Sequence, residues 1–219
     1  SNPKKKKTIK FFVTKTYWKK KFSYNQKGKI LLVHRALRNY YFYPQNHPSS
    51  SNRYYTQHID KFLKFLKPKP KKILRNRFHF NYNVHDEKIF KEKFNKSNRF
   101  SREDKSHFFD QFSKTRLMII TSNFTSFLQC FLMNIPTILF LEKKFDKVLG
   151  FKKSYYNELE KAKILFYDPK KCSKHINDIY SNPKIWWNKS NVQKAKNKFC
   201  KEFARYSENV GNELSILLK

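Results

Sequence analysis

The side chains best placed to do chemistry lie in the run LMIITSNFTSFLQCFLMNIPTILFL, Leu117 to Leu141. An apolar strand leads into Thr121, Ser122, Asn123, Thr125 and Ser126, which open a helix. Asn134 and Pro136 then turn that helix into a second apolar strand. Hydroxyls and an amide at a helix N-terminus suit an anion, because backbone N–H groups that lack partners and the positive end of the helix dipole meet phosphate oxygens there. In an open parallel sheet the same place, beyond the carboxyl ends of the strands, is where ligands bind. The alternative is that these residues only cap a core helix, and residue type alone does not separate the two readings.

Other candidates are sparser. His34 and Arg35, with Arg38 behind them, follow the apolar run Ile30–Val33 and stand within reach of a ligand's phosphate, ribose or sugar, with a solvated loop as the alternative. His107 and Asp110 share a helical face at i, i+3, but no third or fourth ligand accompanies them, so no metal site is expected. No Gly-rich phosphate loop exists in a chain with 3 glycines. Cys130, Cys172 and Cys200 are far apart and odd in number, which fits a reduced, cytoplasmic compartment better than a disulfide framework.

The elements that must position these residues follow from periodicity. Short apolar runs predict buried strands at Ile30–Val33, Lys72–Arg75, Leu117–Ile120, Thr137–Leu141 and Ile164–Tyr167. Tyr55, Ile59, Phe62, Leu63 and Leu66 recur at helical spacing after a Pro- and Ser-rich loop over 40–52, and Pro68 and Pro70 end that helix. Further helices are predicted over 86–94, 101–113, 124–133, 155–162 and 170–180. A long amphipathic one runs from Ile185 to about Tyr206, before Leu214–Leu218. Strands alternating with helices imply an α/β fold, a Rossmann-like parallel sheet flanked by helices. Residues 1–27 read as a basic arm and 28–219 as one domain.

Charge is the most conspicuous feature of composition: 49 Lys and Arg against 16 Asp and Glu give +33 over 219 residues. Taken alone it suggests nucleic acid or an anionic membrane. The lysines, however, run from Lys4 to Lys219 without gathering in one segment. They accompany many Asn, Ile, Phe and Tyr, a bias that AT-rich coding produces. Hydrophobic residues at 39%, with 23 Phe, provide a core. The apolar stretch after the N-terminal lysines is little more than Phe11–Val13, neither a signal segment nor a membrane span.

Thr125 through Asn134-Ile-Pro-Thr137, and Trp186-Trp187 followed by the helix from Asn191 to Ala204, resemble the transferases of bacterial O-antigen and surface-polysaccharide loci. Their C-terminal half is similar to the donor-binding half of GT-B glycosyltransferases. The resemblance spans about 28–217. It implies a nucleotide-activated sugar as substrate, with no other cofactor, and donor phosphates held by Arg75, Ser122, Asn123, Thr125 and Ser126. Arg77 is placed as well as Arg75 at the end of the second strand. Glu142, closing the fourth, would meet ribose or sugar hydroxyls. Gln129 stands where relatives carry Glu, and Asn81–Val84 replaces an acidic, Gly-containing turn. Trp186 and Trp187 read as packing anchors for the last helix rather than a sugar platform. The resemblance further implies an N-terminal acceptor domain that this sequence does not contain. Without it the chain alone is expected to be inactive, working in life at the cytoplasmic, anionic face of the inner membrane. Two rival readings are a basic nucleic-acid-binding protein, against which the patterned βα core argues, and a non-catalytic remnant of the transferase.

Overall fold

The computed structural model describes residues 24–35, 49–78, 108–146, 148, 150–204 and 209–217. Five strands, β1 (Lys29–Val33), β2 (Leu74–Arg77), β3 (Thr115–Ile120), β4 (Thr137–Phe140) and β5 (Leu165–Phe166), form one sheet in the order β2-β1-β3-β4-β5. Every pairing is parallel. Ile30 to Leu32, Leu117 to Ile120 and Ile138 to Leu139 are fully buried, as central strands covered on both faces must be. The α/β, Rossmann-like class expected from the alternating pattern is the fold observed.

Helices α1 (Ser49–Phe65), α2 (Pro68–Lys72), α3 (Thr125–Leu132), α4 (Lys153–Lys161), α5 (Pro169–Ile179), α6 (Pro183–Trp187), α7 (Ser190–Phe203) and α8 (Val210–Leu217) complete the described elements, with a 3-10 segment at Phe108–Lys114. The connection from β1 goes to β2 on one side, and that from β2 returns to β3 on the other. This reversal puts α1 and α5, which pack together, on one face, and α3, α4 and α7 on the opposite one. It also opens a crevice between the carboxyl ends of β1 and β3, the switch point of the topology.

Local departures from the expected elements have local causes. Helix α1 starts at Ser49, inside the expected loop, because serine is favoured at helix starts as well as in turns. Pro68 and Pro70 do not simply end it: proline has no N–H to lose in a first turn, so Pro68 begins the short α2. Strand β2 is two residues later than its apolar run, since an edge strand buries only alternate residues, here Leu74 and Asn76. Phe108–Lys114 is 3-10 rather than α, which brings Phe109 and Phe112, three apart, into contact at 5.3 Å. The expected long helix breaks at Asn188–Lys189 into α6 and α7, and the Gln193 side-chain amide donates to the Trp187 carbonyl exposed there. The expected helix at 86–94, most of the one from Ser101, and most of the basic arm lie outside the described residues.

One glycine is required by close approach. A Cβ at Gly28 would lie 2.7 Å from the Lys114 carbonyl oxygen, just where the chain enters β1. Arg116 on β3 donates from Nε to the Gly28 carbonyl and from Nη1 to that of Tyr180, tying this entry to the end of α5.

Candidate functional site at the switch point

At the crevice, the strand ends deliver their last residues side by side, with Val33 opposite Ile120 and Ile120 opposite Leu139. A chain of buried polar contacts starts there. His34 bonds through Nε2 to Asn76 Oδ1 at 3.0 Å and through Nδ1 to the Tyr55 hydroxyl at 2.7 Å. That hydroxyl reaches Thr121 Oγ1 at 2.8 Å, and the Arg35 backbone N–H donates to the same oxygen at 2.9 Å. The Arg35 guanidinium lies over the Tyr55 ring at 4.3 Å and pairs with Glu142 Oε1 at 3.4 Å. Asp146 closes the chain by accepting the Glu142 backbone N–H at 2.9 Å.

Burial sets the electrostatics. Arg35 is 2% exposed and Glu142 7%. Desolvation pushes the Glu142 carboxyl up to about 7, with Arg35 pulling it down and Asp146 pushing it up. His34 is held neutral, its pKa lowered to about 4 by burial against the opposing bond from Asn76. The Asp146 carboxyl is also raised by burial.

The residues of the first candidate run divide. Ser122 is buried, Asn123 accepts a hydrogen bond from the Tyr156 hydroxyl at 2.7 Å, Thr125 is the exposed first residue of α3, and Ser126 is half-buried beside it. The N-cap of α3 is Phe124, and no side chain caps the helix. A position usually given to Ser, Thr, Asp or Asn is thus held by an exposed aromatic, whose side chain offers the first-turn N–H groups no acceptor. His34, Arg35 and Glu142 join this end of the sheet. Arg75 does not: its Nη1 donates to the carbonyls of Lys72 and Leu74, near the start of β2. Arg77, at the carboxyl end of that strand opposite Val33, stands closer to the crevice.

Beside Glu142 is a cavity of about 270 Å³ between α1 and the ends of β4 and β5, where Tyr54, Phe145 and Tyr167 supply rings and Lys61, Lys143 and Lys144 supply exposed cations. Glu142 and His58 both line it, and neither Glu142 Oε1 nor His58 Nε2 has a hydrogen-bond partner among the described residues. Tyr55, Asn76 and His58 escaped sequence reasoning as site residues. Tyr55 and His58 lie within a helix read for its apolar stripe, and Asn76 lies on an edge strand. Among the described residues no three His, Cys, Asp or Glu side chains gather as a metal site would require.

The buried histidines make stability depend on pH. His34, His58 and His175 all have pKa values lowered to about 4 by burial, so the unfolded chain binds more protons than the folded one between pH 4 and 6.5. Stability therefore rises with pH through this window, by at most about 1.4 kcal/mol per unit for each histidine. Glu142 and Asp146, raised by burial, act in the opposite sense but are fewer. The melting temperature is expected to fall between pH 6.5 and 5, and His34→Gln to flatten the fall. A flat profile would show that these rings are not held neutral.

An open, doubly wound α/β domain with polar residues converging on its switch point belongs to the class of folds that bind ligands beyond the strand ends. More particularly, the chain belongs to the LIC12162 family of transferases, whose family model matches residues 2–218. Comparison with curated proteins finds no match. No helix among the described residues is long and apolar enough to cross a membrane.

Proposed function

We propose that the switch-point crevice binds a nucleotide-activated sugar and that the chain serves as the donor-binding part of a transferase that builds bacterial surface polysaccharide. The observation that carries this reading is the uncapped N-terminus of α3, flanked by Ser122, Thr125 and Ser126 and adjoining the buried Arg35–Glu142 pair, in a chain whose family is a transferase family. In this reading the donor diphosphate completes the cap of α3. Charge that develops on the leaving diphosphate is stabilised by first-turn N–H groups and by the Thr125 and Ser126 hydroxyls, donors already fixed by the fold. The nucleoside extends toward the cavity, where Glu142 accepts from ribose hydroxyls. Arg75 is left out of this set because its guanidinium already serves neighbouring carbonyls.

Thermal unfolding against UDP-, GDP-, CDP- and CMP-sugars tests the reading. One nucleotide class should stabilise the protein saturably, by about 2.7 kcal/mol at a hundred times its Kd. Thr125→Ala combined with Ser126→Ala should remove most of the effect without lowering the melting temperature of the free protein. If no nucleotide sugar shifts the transition while single-stranded DNA does, in a salt-sensitive manner, the donor reading is wrong.

A further inference from the structure

The lysines, expected to be spread along the chain without gathering in one segment, are denser in one stretch, and the fold sets a second basic run beside it. Between Lys61 and Arg75 seven residues are Lys or Arg and none is acidic. This stretch holds the last turn of α1 and all of α2, and α5 lies alongside with Lys170, Lys171 and Lys174 exposed. Side-chain bonds fix the two helices together: Ser173 Oγ donates to the Phe62 carbonyl at 2.8 Å, Asn177 Nδ2 donates to that of Phe65 at 3.1 Å, and Asn177 Oδ1 accepts from the Lys67 backbone N–H at 2.9 Å.

In the middle of these cations Phe65 is 48% exposed, with the Lys170 ammonium 5.8 Å from its ring centre. Of the nearby acids, Asp60 is paired with Lys64 at 3.0 Å, Asp168 accepts the Lys171 backbone N–H, and Asp178 is exposed near the end of α5. Lys61, Lys67, Lys69 and Lys72 are exposed, and no ion pair with an acid is formed by them among the described residues.

We infer that this surface docks on an anionic lipid bilayer, with Phe65 entering the headgroup layer. The charges are lysine ammoniums carried by helices, which answer a diffuse negative surface potential without needing directed hydrogen bonds. A single aromatic among them suits an interface that admits one ring. Single-stranded nucleic acid calls for several stacking rings along a groove. Helix α1 starts at the carboxyl end of the sheet and ends at the other, so its last turn lies away from the switch-point crevice, while Lys61 and the start of α5 approach the cavity beside Glu142.

Co-sedimentation of the full chain with vesicles of phosphatidylcholine, with and without 30% phosphatidylglycerol, tests this as salt is varied. Binding should require the anionic lipid and should weaken roughly fivefold for each lysine lost from the surface. The variant Lys67→Glu/Lys69→Glu/Lys170→Glu should lose binding, and Phe65→Ser should weaken it, both melting as the parent does. The variant Lys153→Glu/Lys194→Glu/Lys201→Glu changes the charge equally on the opposite face and should retain most binding. Equal loss in both triple variants would overturn the proposal, since net charge alone would then explain binding. So would equal binding to neutral vesicles, or displacement from vesicles by single-stranded DNA that the patch variant no longer binds.

Discussion

Arg35→Met is expected to destabilise the protein by about 3–5 kcal/mol, the range found when one partner of a buried ion pair is removed. Glu142 would then remain 7% exposed without its cation, beside a second carboxyl, Asp146. The loss depends on pH in a definite sense. With Arg35 present the Glu142 carboxyl titrates at about 7, so below that pH it is already largely neutral and has little charge to lose a partner for. The destabilisation should therefore be greatest near pH 8.5 and shrink toward the packing loss alone at pH 6. Chemical denaturation at both values measures it.

The double variant Arg35→Met/Glu142→Gln should recover most of the loss at pH 8.5, because neither partner is then left as an isolated buried charge. Strictly additive losses would mean that the pair does not act as a unit. The double variant also separates architecture from ligand. If Glu142 accepts from a bound nucleoside, stability returns in the double variant while nucleotide-sugar stabilisation is weakened, since a neutral amide oxygen accepts less strongly than a carboxylate.

How far the sequence alone reaches is visible at single residues. Ile30–Val33 and Leu117–Ile120 declare themselves as central strands because both faces are covered and every position is apolar. His34, Arg35 and Glu142 could be nominated only because they follow such strands, and the fold does bring them to one end of the sheet. Their partners could not be read. Tyr55 counts as one more apolar residue on a helical stripe, yet its hydroxyl joins His34 to Thr121 across separations of 21 and 66 residues. Asn76 is a polar residue in a weak edge strand until Leu32 is paired beside it. Local periodicity records which face a residue takes. It carries no record of which distant side chain waits there.

Trp187→Ala is expected to destabilise by about 3–5 kcal/mol, as the loss of a large buried ring does. The ring is 1% exposed and packs on Phe131 and Trp186. Its indole N–H also donates to Asn134, to the backbone oxygen at 3.1 Å and to Oδ1 at 3.0 Å. Asn134 ends α3 in the left-handed region, with φ of 52°, a conformation that asparagine tolerates better than most residues. The nearly buried Lys196 of α7 donates to the same Oδ1 at 2.9 Å. Trp187→Phe, which keeps a ring but leaves the carbonyl without its donor, should be milder, about 1–3 kcal/mol.

Asn134-Ile-Pro-Thr137, the end of the first stretch that resembles surface-polysaccharide transferases, and the tryptophan pair with its helix, the second, thus meet in space and fasten α6 and α7 to the turn that leads into β4. They grip the C-terminal end of α3, opposite the end proposed to meet the diphosphate. Trp187→Phe should accordingly lower the melting temperature while leaving the shift produced by saturating nucleotide sugar unchanged, the reverse of the expected pattern for Thr125→Ala/Ser126→Ala. A Trp187→Phe protein that keeps its stability but loses the nucleotide response would move the ligand to the wrong end of α3 for the proposed site. The expected separation follows from geometry: Trp187 and Asn134 hold the C-terminal end of α3, whereas Thr125 and Ser126 stand at its start.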